Sequence, residues 1–283
     1  MALRSFSVLP SSPAIRRSRP RRTPTPQMFR RPSDGRRTLT FGVVAQIVAM
    51  IVIVAWYAVG LPGGFARVVV GDFLFTGLSL TTALLCWWTG SRLGPQGGRP
   101  WRWLAASYGC WCAGQLVWDG YELWRRTPVP YPSLADVGYL GYFPLVIIAL
   151  VLLFHQETSR KRSMATVLDG SIITVAAGGL LFEFMLAPIH EVQGSGTALA
   201  ASVLWQAGMI LVIFVAGSVI HGGSPLLRWR PAQLIIGSLL LNAATNIAYG
   251  RLALEGTYAI GHWMDLGWHV SFLMVGIAAV LAS

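Results

Sequence analysis

Residues 134–155 read LADVGYLGYFPLVIIALVLLFH, and Asp136 and His155 are the only acidic or basic side chains among them. About 20 mainly apolar residues are enough for one helix to cross the ~30 Å hydrocarbon core of a bilayer. Strands of a membrane barrel would instead alternate apolar and polar residues over about 10 positions. The stretch therefore predicts a transmembrane α-helix.

Similar apolar stretches fill the rest of the chain after residue 40. Together with the first they cover residues 41–60, 68–90, 101–124, 134–155, 164–187, 197–220, 231–254 and 259–282. Hydrophobic residues make up 54% of the 283 positions and charged residues only 12%, whereas about 25% of a soluble domain is charged. We predict an all-α integral membrane domain over residues 41–283, with about eight transmembrane helices surrounded by the lipid bilayer.

The first 40 residues differ in composition from the rest. They are rich in Arg, Pro and Ser and contain a single acidic residue, Asp34. Such a segment cannot bury a hydrophobic core, so we predict a disordered tail over residues 1–40. It lacks the apolar region of a secretory signal. An organellar transit peptide, a segment that binds anionic lipid and a true translation start at Met28 all remain open.

The basic residues predict the orientation in the membrane. With the tail in the cytoplasm, eighteen of the 22 Lys and Arg residues lie on the cytoplasmic side, and only Arg67, Arg125, Arg126 and Arg251 lie outside. This is the direction of the positive-inside rule, and it places both termini in the cytoplasm. The net charge of +11 then reflects topology, so nucleic acid is not predicted as a partner.

Two segments of the chain match each other at a constant offset. Asp136-Val-Gly-Tyr139 corresponds to Asp265-Leu-Gly-Trp268, and the apolar positions that follow also agree. This match predicts two four-helix repeats, with halves of about 41–155 and 164–283. An even number of helices per repeat gives both halves the same orientation in the membrane.

Polar residues within the spans concentrate toward the predicted outer face. They recur at helical spacing in 115–122 and in 262–269, so each set lies on one helix face. Such residues are costly in lipid and usually face a bundle interior or a cavity. We predict a shared outer pocket with these candidate ligand-binding residues: Asp119, Glu122, Asp136, Asn246, His262, Asp265 and His269.

Several of these residues also have a purely structural explanation. Ser133 and Asp136 can form a capping box at a helix start, where a carboxylate complements the helix dipole. The two histidines beside Asp265 are too few to predict a metal site, although they could sense protons or form interhelical hydrogen bonds. Aromatic residues near the ends of the spans are typical of an interfacial belt. No metal, cofactor or catalytic activity is predicted.

Three motifs resemble those of one known family. They are PYPSLADVGYLGYFP at 130–144, Leu168-Asp-Gly170 and Asp265-Leu-Gly-Trp268. Together they resemble membrane regions of bacterial proteins that precede cytoplasmic GGDEF diguanylate cyclase domains, often with EAL or PAS domains as well. The resemblance covers about 40–283 and implies a sensor or anchor in the bacterial inner membrane. The chain has no GGDEF, EAL or histidine-kinase motif, so the resemblance does not extend to cyclase activity.

These observations favour a sensory or anchoring module of a signalling protein. We predict that a small ligand or a proton binds near the outer face and biases the packing of the last span. That span would pass the signal to a cytoplasmic output domain, most simply within a homodimer. The alternative is a small-solute or ion transporter, which would have polar groups near the bilayer midplane and broken helices. A structural scaffold is the third possibility.

Overall fold

The structure is a computed structural model that describes residues 36–59, 63–154, 196–221 and 225–283, with four further positions between 172 and 179. Most of the basic tail, most of the span predicted at 164–187 and the whole Leu168-Asp-Gly170 motif lie outside the described residues. Eight α-helices occur in the described part of the chain: α1 Arg36–Val59, α2 Phe65–Arg92, α3 Gly94–Gly97, α4 Arg99–Asp119, α5 Leu134–Phe154, α6 Thr197–His221, α7 Arg230–Leu254 and α8 Asp265–Ala282.

Within these ranges the chain contains no strand, so the all-helical prediction is confirmed there. Five helices are long and apolar enough to cross a membrane: α2, α5, α6, α8 and the Arg230–Ala253 part of α7. The apolar part of α1, Phe41–Trp56, is shorter. The predicted number of eight spans is not confirmed.

Large apolar side chains point away from the helix bundle. Ile51 of α1 is 62% exposed, Phe73 of α2 is 67% exposed, and Leu204 of α6 is 57% exposed. Soluble monomers rarely expose apolar surface of this extent. A bilayer is the surrounding that removes this cost, because helices satisfy their own backbone hydrogen bonds in lipid.

Three connections meet at one end of the bundle, which we call the loop end; it comprises residues 63–64, 126–133 and 255–264. The guanidinium of Arg126 lies 4.4 Å from the ring centre of Phe65. Arg67 donates a hydrogen bond of 3.1 Å to the carbonyl of Gly261. These contacts join the start of α2 to both of the longer connections. A π-helical turn, Gly120–Arg125, extends α4 into this end.

Helices α4 and α5 pack at very short range. A Cβ added at Gly138 would lie 2.5 Å from the backbone nitrogen of Gly114 and 2.7 Å from the carbonyl oxygen of Cys110. Small residues at such crossings let two helix backbones approach closely, which favours association in lipid through van der Waals contact.

Helix α8 lies in the interior and packs against α1, α2 and α7. Phe272 and Val275 on this helix are completely buried. Thr82 of α2 donates a 3.2 Å hydrogen bond to the carbonyl of Phe272, and Thr89 donates one of 2.9 Å to the carbonyl of Ala279. These bonds attach α8 to α2 over about two turns.

Two helix starts differ from those predicted. Helix α1 begins at Arg36, inside the segment predicted to be disordered. Helix α8 begins at Asp265 rather than at residue 259. The residues before it form turns, because Gly256 and Gly261 have positive φ angles of 65° and 78° that a right-handed helix does not allow.

Candidate functional site

A cavity of about 360 Å³ lies between the helices at the loop end. Two groups of aromatic side chains form much of its lining. The first aromatic wall comprises Trp111, Tyr139 and Trp205, from α4, α5 and α6. The second aromatic wall comprises Tyr249, Tyr258 and Trp268, from α7, the connection after it and α8.

Both walls are held by ring contacts. In the first aromatic wall, the ring centre of Trp111 lies 5.1 Å from that of Tyr139 and 6.3 Å from that of Trp205. In the second aromatic wall, the ring centre of Tyr249 lies 4.8 Å from that of Tyr258 and 5.4 Å from that of Trp268. Tilted and edge-to-face pairs at these distances are favourable, so the rings support each other around the cavity.

Asp136 lines the cavity and also caps α5. One carboxylate oxygen accepts a 2.7 Å hydrogen bond from the backbone N–H of Ser133, and the backbone N–H of Ala135 donates to the Ser133 hydroxyl at 3.2 Å. The predicted capping box is therefore confirmed. The other carboxylate oxygen accepts a 3.2 Å hydrogen bond from the indole N–H of Trp205. This bond ties α5 to the first aromatic wall.

We expect Ser133→Ala to lower the free energy of unfolding by about 1 kcal/mol, the usual cost of losing a helix cap. Unfolding by SDS titration in mixed micelles measures the change. Thr127→Ala, an exposed substitution in the same connection, is the control and should have little effect. Equal stability of the two variants would contradict the capping role.

Asp119 lies behind the lining and is connected to it by hydrogen bonds. Thr76 donates to one carboxylate oxygen at 2.6 Å, and the Gln115 amide donates to the other at 2.9 Å. Tyr139 in turn donates to the Gln115 carbonyl at 2.9 Å. Asp119 thus orients Gln115 and Tyr139, both of which line the cavity.

Asp265 has a similar supporting position on the opposite side. It is fully buried and accepts hydrogen bonds from the Tyr258 hydroxyl at 3.1 Å and from the Gly261 N–H at 2.8 Å. Burial and the nearby Asp265 carboxylate raise the pKa of Tyr258 well above its usual value. The Tyr258 phenol therefore stays protonated and donates.

The structure brings only part of the predicted set to the cavity. Asp136 and Asn246 line it, and the Asn246 amide donates to the Asn242 side chain at 2.8 Å. Glu122 lies in the π-helical turn. His262 precedes α8 instead of sharing a face with Asp265, and its Nδ1 accepts a 3.3 Å hydrogen bond from the Met264 N–H.

His269 is buried away from His262. Its ring centre lies 4.5 Å from that of Phe75, and only 2% of its surface is exposed. Across the described residues, no three His, Cys, Asp or Glu side chains are arranged to hold a metal ion. His269 thus packs against Phe75, while neither of its ring nitrogens has a hydrogen-bond partner among the described residues.

One buried carboxyl group, Asp72 on α2, is absent from the set of predicted site residues. It is fully buried, and neither carboxylate oxygen has a hydrogen-bond partner among the described residues. The carboxylates of Asp119 and Glu122 lie close enough to repel it. Asp72 is the only charged residue in the apolar stretch 68–90, and this signal was available. The lining residues of α6, among them Trp205 and Gln206, were also absent from the predicted set.

We expect Asp72→Asn to raise the free energy of unfolding at pH 8 by about 1–3 kcal/mol, because it removes a buried ionisable carboxyl group that has no hydrogen-bond partner among the described residues. SDS titration of the purified protein measures the change. Glu255→Gln removes the same charge from an exposed ion pair with Arg251, and we expect it to alter stability by less than about 0.5 kcal/mol. A clear loss of stability in Asp72→Asn would show that the carboxylate has a stabilising partner.

No family model matches the chain, and no curated protein or solved structure is significantly similar to it. The resemblance to membrane regions of cyclic-di-GMP signalling proteins therefore stays a prediction based on the three motifs.

Proposed function

We propose that the chain is a membrane-embedded sensory module of a bacterial signalling protein. In this proposal a small ligand binds in the cavity at the loop end and changes the packing of α8. A cytoplasmic output domain following α8, as implied by the family resemblance, receives the signal. The proposal rests above all on one observation: Trp268 of α8 belongs to the cavity lining.

The cavity has the character of a small-molecule site. A volume of about 360 Å³ lies within the range of ~300–1,000 Å³ typical of ligand pockets, and such pockets combine apolar walls with a few polar groups. A ligand shifts a conformational equilibrium only through its different affinity for the two states. In the proposed mechanism α8 moves between the two states, so a ligand in contact with Trp268 has a different affinity for each state.

We also propose that two four-helix repeats enclose the cavity. Asp136 and Asp265 both lie in the first turn of their helices. Two residues later, Gly138 packs against Gly114 of the preceding helix, and Gly267 packs against Thr245 of its own preceding helix. The next residues, Tyr139 and Trp268, line the cavity from opposite walls.

Helix contacts between the two halves also support two repeats related by a pseudo-two-fold axis. Helix α8, the last of the second half, packs against α2, which is the second helix of the first half. Helix α5, the last of the first half, packs against α6. Helix α6 is the second helix of its half if the segment 164–187 forms the fifth span. The last helix of each half thus packs against the second helix of the other half. A pseudo-two-fold axis requires this reciprocal pair of contacts.

The arginine distribution supports an orientation for the module. The four basic residues outside the predicted cytoplasmic side, Arg67, Arg125, Arg126 and Arg251, lie in the loop end or in the helix turns next to it, so this end faces outward in the proposed arrangement. Both termini are then cytoplasmic, and the protein lies in the bacterial inner membrane. A homodimer would pair two output domains.

A fusion protein tests the sensory role. A diguanylate cyclase domain is joined after Ser283, and cyclic-di-GMP production is measured in proteoliposomes over a panel of small solutes and pH values. We expect the output of the parent fusion to respond to at least one condition. The response should be lost in Trp268→Leu and retained in Trp263→Leu, whose side chain is 69% exposed and lies outside the cavity lining. Unchanged output in every condition would contradict the sensory role, and solute uptake by the same vesicles would favour the transporter alternative.

A further inference from the structure

We infer that the cavity binds an organic cation, with a substituted ammonium group between the two aromatic walls and near Asp136. This inference rests on the proposed ligand-binding function and adds the chemical class of the ligand. It depends on three features: the aromatic lining, a carboxylate without a cationic partner, and a buried amide oxygen.

The aromatic lining supplies the first argument. Trp and Tyr rings attract an ammonium group within about 6 Å of the ring centre, each by roughly 0.5–2 kcal/mol, with Trp the strongest. Trp205 and Trp268 contribute indoles, one from each aromatic wall, and Tyr139 and Tyr249 contribute one phenol to each wall. Several such rings around one cavity form the arrangement that recognises substituted ammonium groups elsewhere.

Charge supplies the second argument. The Asp136 carboxylate accepts hydrogen bonds from Ser133 and Trp205, which are neutral. No Lys, Arg or His occurs among the residues that line the cavity in the described part of the chain. The negative charge at the lining is therefore not balanced by a basic side chain of the lining itself.

The four arginines in and next to the loop end have contacts outside the cavity lining. Arg67 donates to the Gly261 carbonyl and Arg251 to Glu255. Arg125 and Arg126 lie over the rings of Tyr121 and Phe65. A cationic ligand complements the carboxylate of the lining, whereas an anionic ligand would meet repulsion from Asp136.

Gln206 supplies the third argument. Its side chain lines the cavity and is only 4% exposed. Its carbonyl oxygen has no hydrogen-bond partner among the described residues. A buried oxygen of this kind is costly until it accepts a hydrogen bond. An ammonium N–H, or a hydroxyl on the same ligand, supplies the donor.

The size of the cavity indicates how much of the ligand is accommodated. A volume of about 360 Å³ exceeds that of a small tetraalkylammonium ion, so a further substituent fits beside the charged group. The same ammonium chemistry occurs in free cations and in the headgroups of zwitterionic lipids, and the experiment separates these two sources.

Calorimetry on the full chain tests the inference. The protein is placed in nanodiscs of phosphatidylglycerol, which has no cationic headgroup, and is titrated with choline, phenethylammonium and 3,3-dimethylbutan-1-ol, the neutral counterpart of choline. We expect choline to bind at least about tenfold more tightly than the neutral alcohol, the effect of one cation–π contact plus the carboxylate. Short-chain phosphatidylcholine is then added as a competitor. Competition identifies a lipid headgroup as a ligand source, and its absence identifies a free cation.

Matched variants show whether binding occurs in this cavity. Asp136→Asn keeps a side-chain oxygen for the cap, and Trp205→Leu removes one aromatic face; each should weaken choline binding by about tenfold. Glu255→Gln and Trp263→Leu make the same kinds of change outside the cavity and should leave binding unchanged. Thermal unfolding in the same nanodiscs verifies that each variant is folded.

Several results would overturn the inference. Equal binding of choline and its neutral counterpart would reject the cation while leaving a ligand-binding function in place. Binding of neither ammonium compound to the folded protein would also reject it. If Glu255→Gln and Trp263→Leu weaken choline binding as much as the variants in the cavity do, the binding site does not lie in this cavity. If choline binds as expected and the cyclase fusion never responds, the cation site stands and the sensory function fails.

Discussion

Replacing Gly138 by Ala is expected to lower the free energy of unfolding by about 3 kcal/mol, the upper part of the usual range for overpacking. The added methyl group would meet the backbone nitrogen and Cα of Gly114 at 2.5 and 2.6 Å. Backbone atoms cannot turn aside as a side-chain end can, so α4 and α5 would have to separate. Their separation would also weaken the contacts of Trp111 and Tyr139 in the first aromatic wall.

Gly141→Ala is the control for this prediction. It lies on the same helix and faces the same neighbour, because its added Cβ would lie 3.6 Å from the sulfur of Cys110, an ordinary contact. Helix propensity favours Ala over Gly by about 0.5–1 kcal/mol, so this variant should be neutral or slightly more stable. SDS titration in mixed micelles measures both variants. Similar stability of Gly138→Ala and Gly141→Ala would mean that the helices have room at the crossing.

Phe272→Ala is expected to cost about 3–5 kcal/mol, the usual effect of removing a buried aromatic ring. Phe272 is completely buried on α8. Its ring centre lies 5.6 Å from that of Tyr108 and 5.9 Å from that of Trp111. Much of the cost is lost packing, since lipid tails surround the unpacked helices as well as the packed ones.

Leu281→Ala provides the comparison on the same helix. The Leu281 side chain is 52% exposed, so its removal should change stability by less than about 1 kcal/mol. The same SDS titration compares the two variants. Because Phe272 contacts Trp111, its loss should also weaken choline binding in the calorimetric assay. Unaltered binding in a folded Phe272→Ala protein would argue against coupling between the interior of α8 and the cavity.

The proposed signal path needs both ends of α8. Trp268 meets the cavity near the start of the helix, and Ala279 accepts a hydrogen bond from Thr89 near its end. Most of the intervening residues are buried, and the helix packs against α1, α2 and α7. A helix that is packed in this way moves as a unit, so a displacement at Trp268 is not absorbed locally.

Local sequence predicted two of the helices to within one residue at each end. Residues 134–155 and 231–254 were predicted as spans, and the helices run over Leu134–Phe154 and Arg230–Leu254. The capping box of Ser133 and Asp136 was also predicted, and its hydrogen bonds are present. These features depend on the length of an apolar run and on residues three positions apart, so neighbours in sequence carry the information.

The start of α8 was not predicted correctly, and the reason is conformational. The predicted span begins at residue 259, but Gly256 and Gly261 adopt positive φ angles, so the helix begins only at Asp265. Arg67, distant in sequence, donates to the carbonyl of Gly261. A contact with another helix thus stabilises the turn. Such a contact between distant residues cannot be predicted from hydropathy. His262 consequently left the helix face that it was predicted to share with Asp265.

The sequence by itself determined that the described part of this protein is helical and strongly apolar, with polar residues at helical spacing, because hydropathy and helical spacing act within one segment. Only the tertiary structure decided which polar groups meet. Asp119 and Asp265 form hydrogen bonds that support the cavity lining, Asp72 is a buried carboxyl group without a hydrogen-bond partner among the described residues, and Gln206 lines the cavity. The physical reason is that an apolar helix can rotate about its axis in lipid at little cost. Close packing, as between Gly114 and Gly138, then fixes the rotation and selects the side chains that face one another.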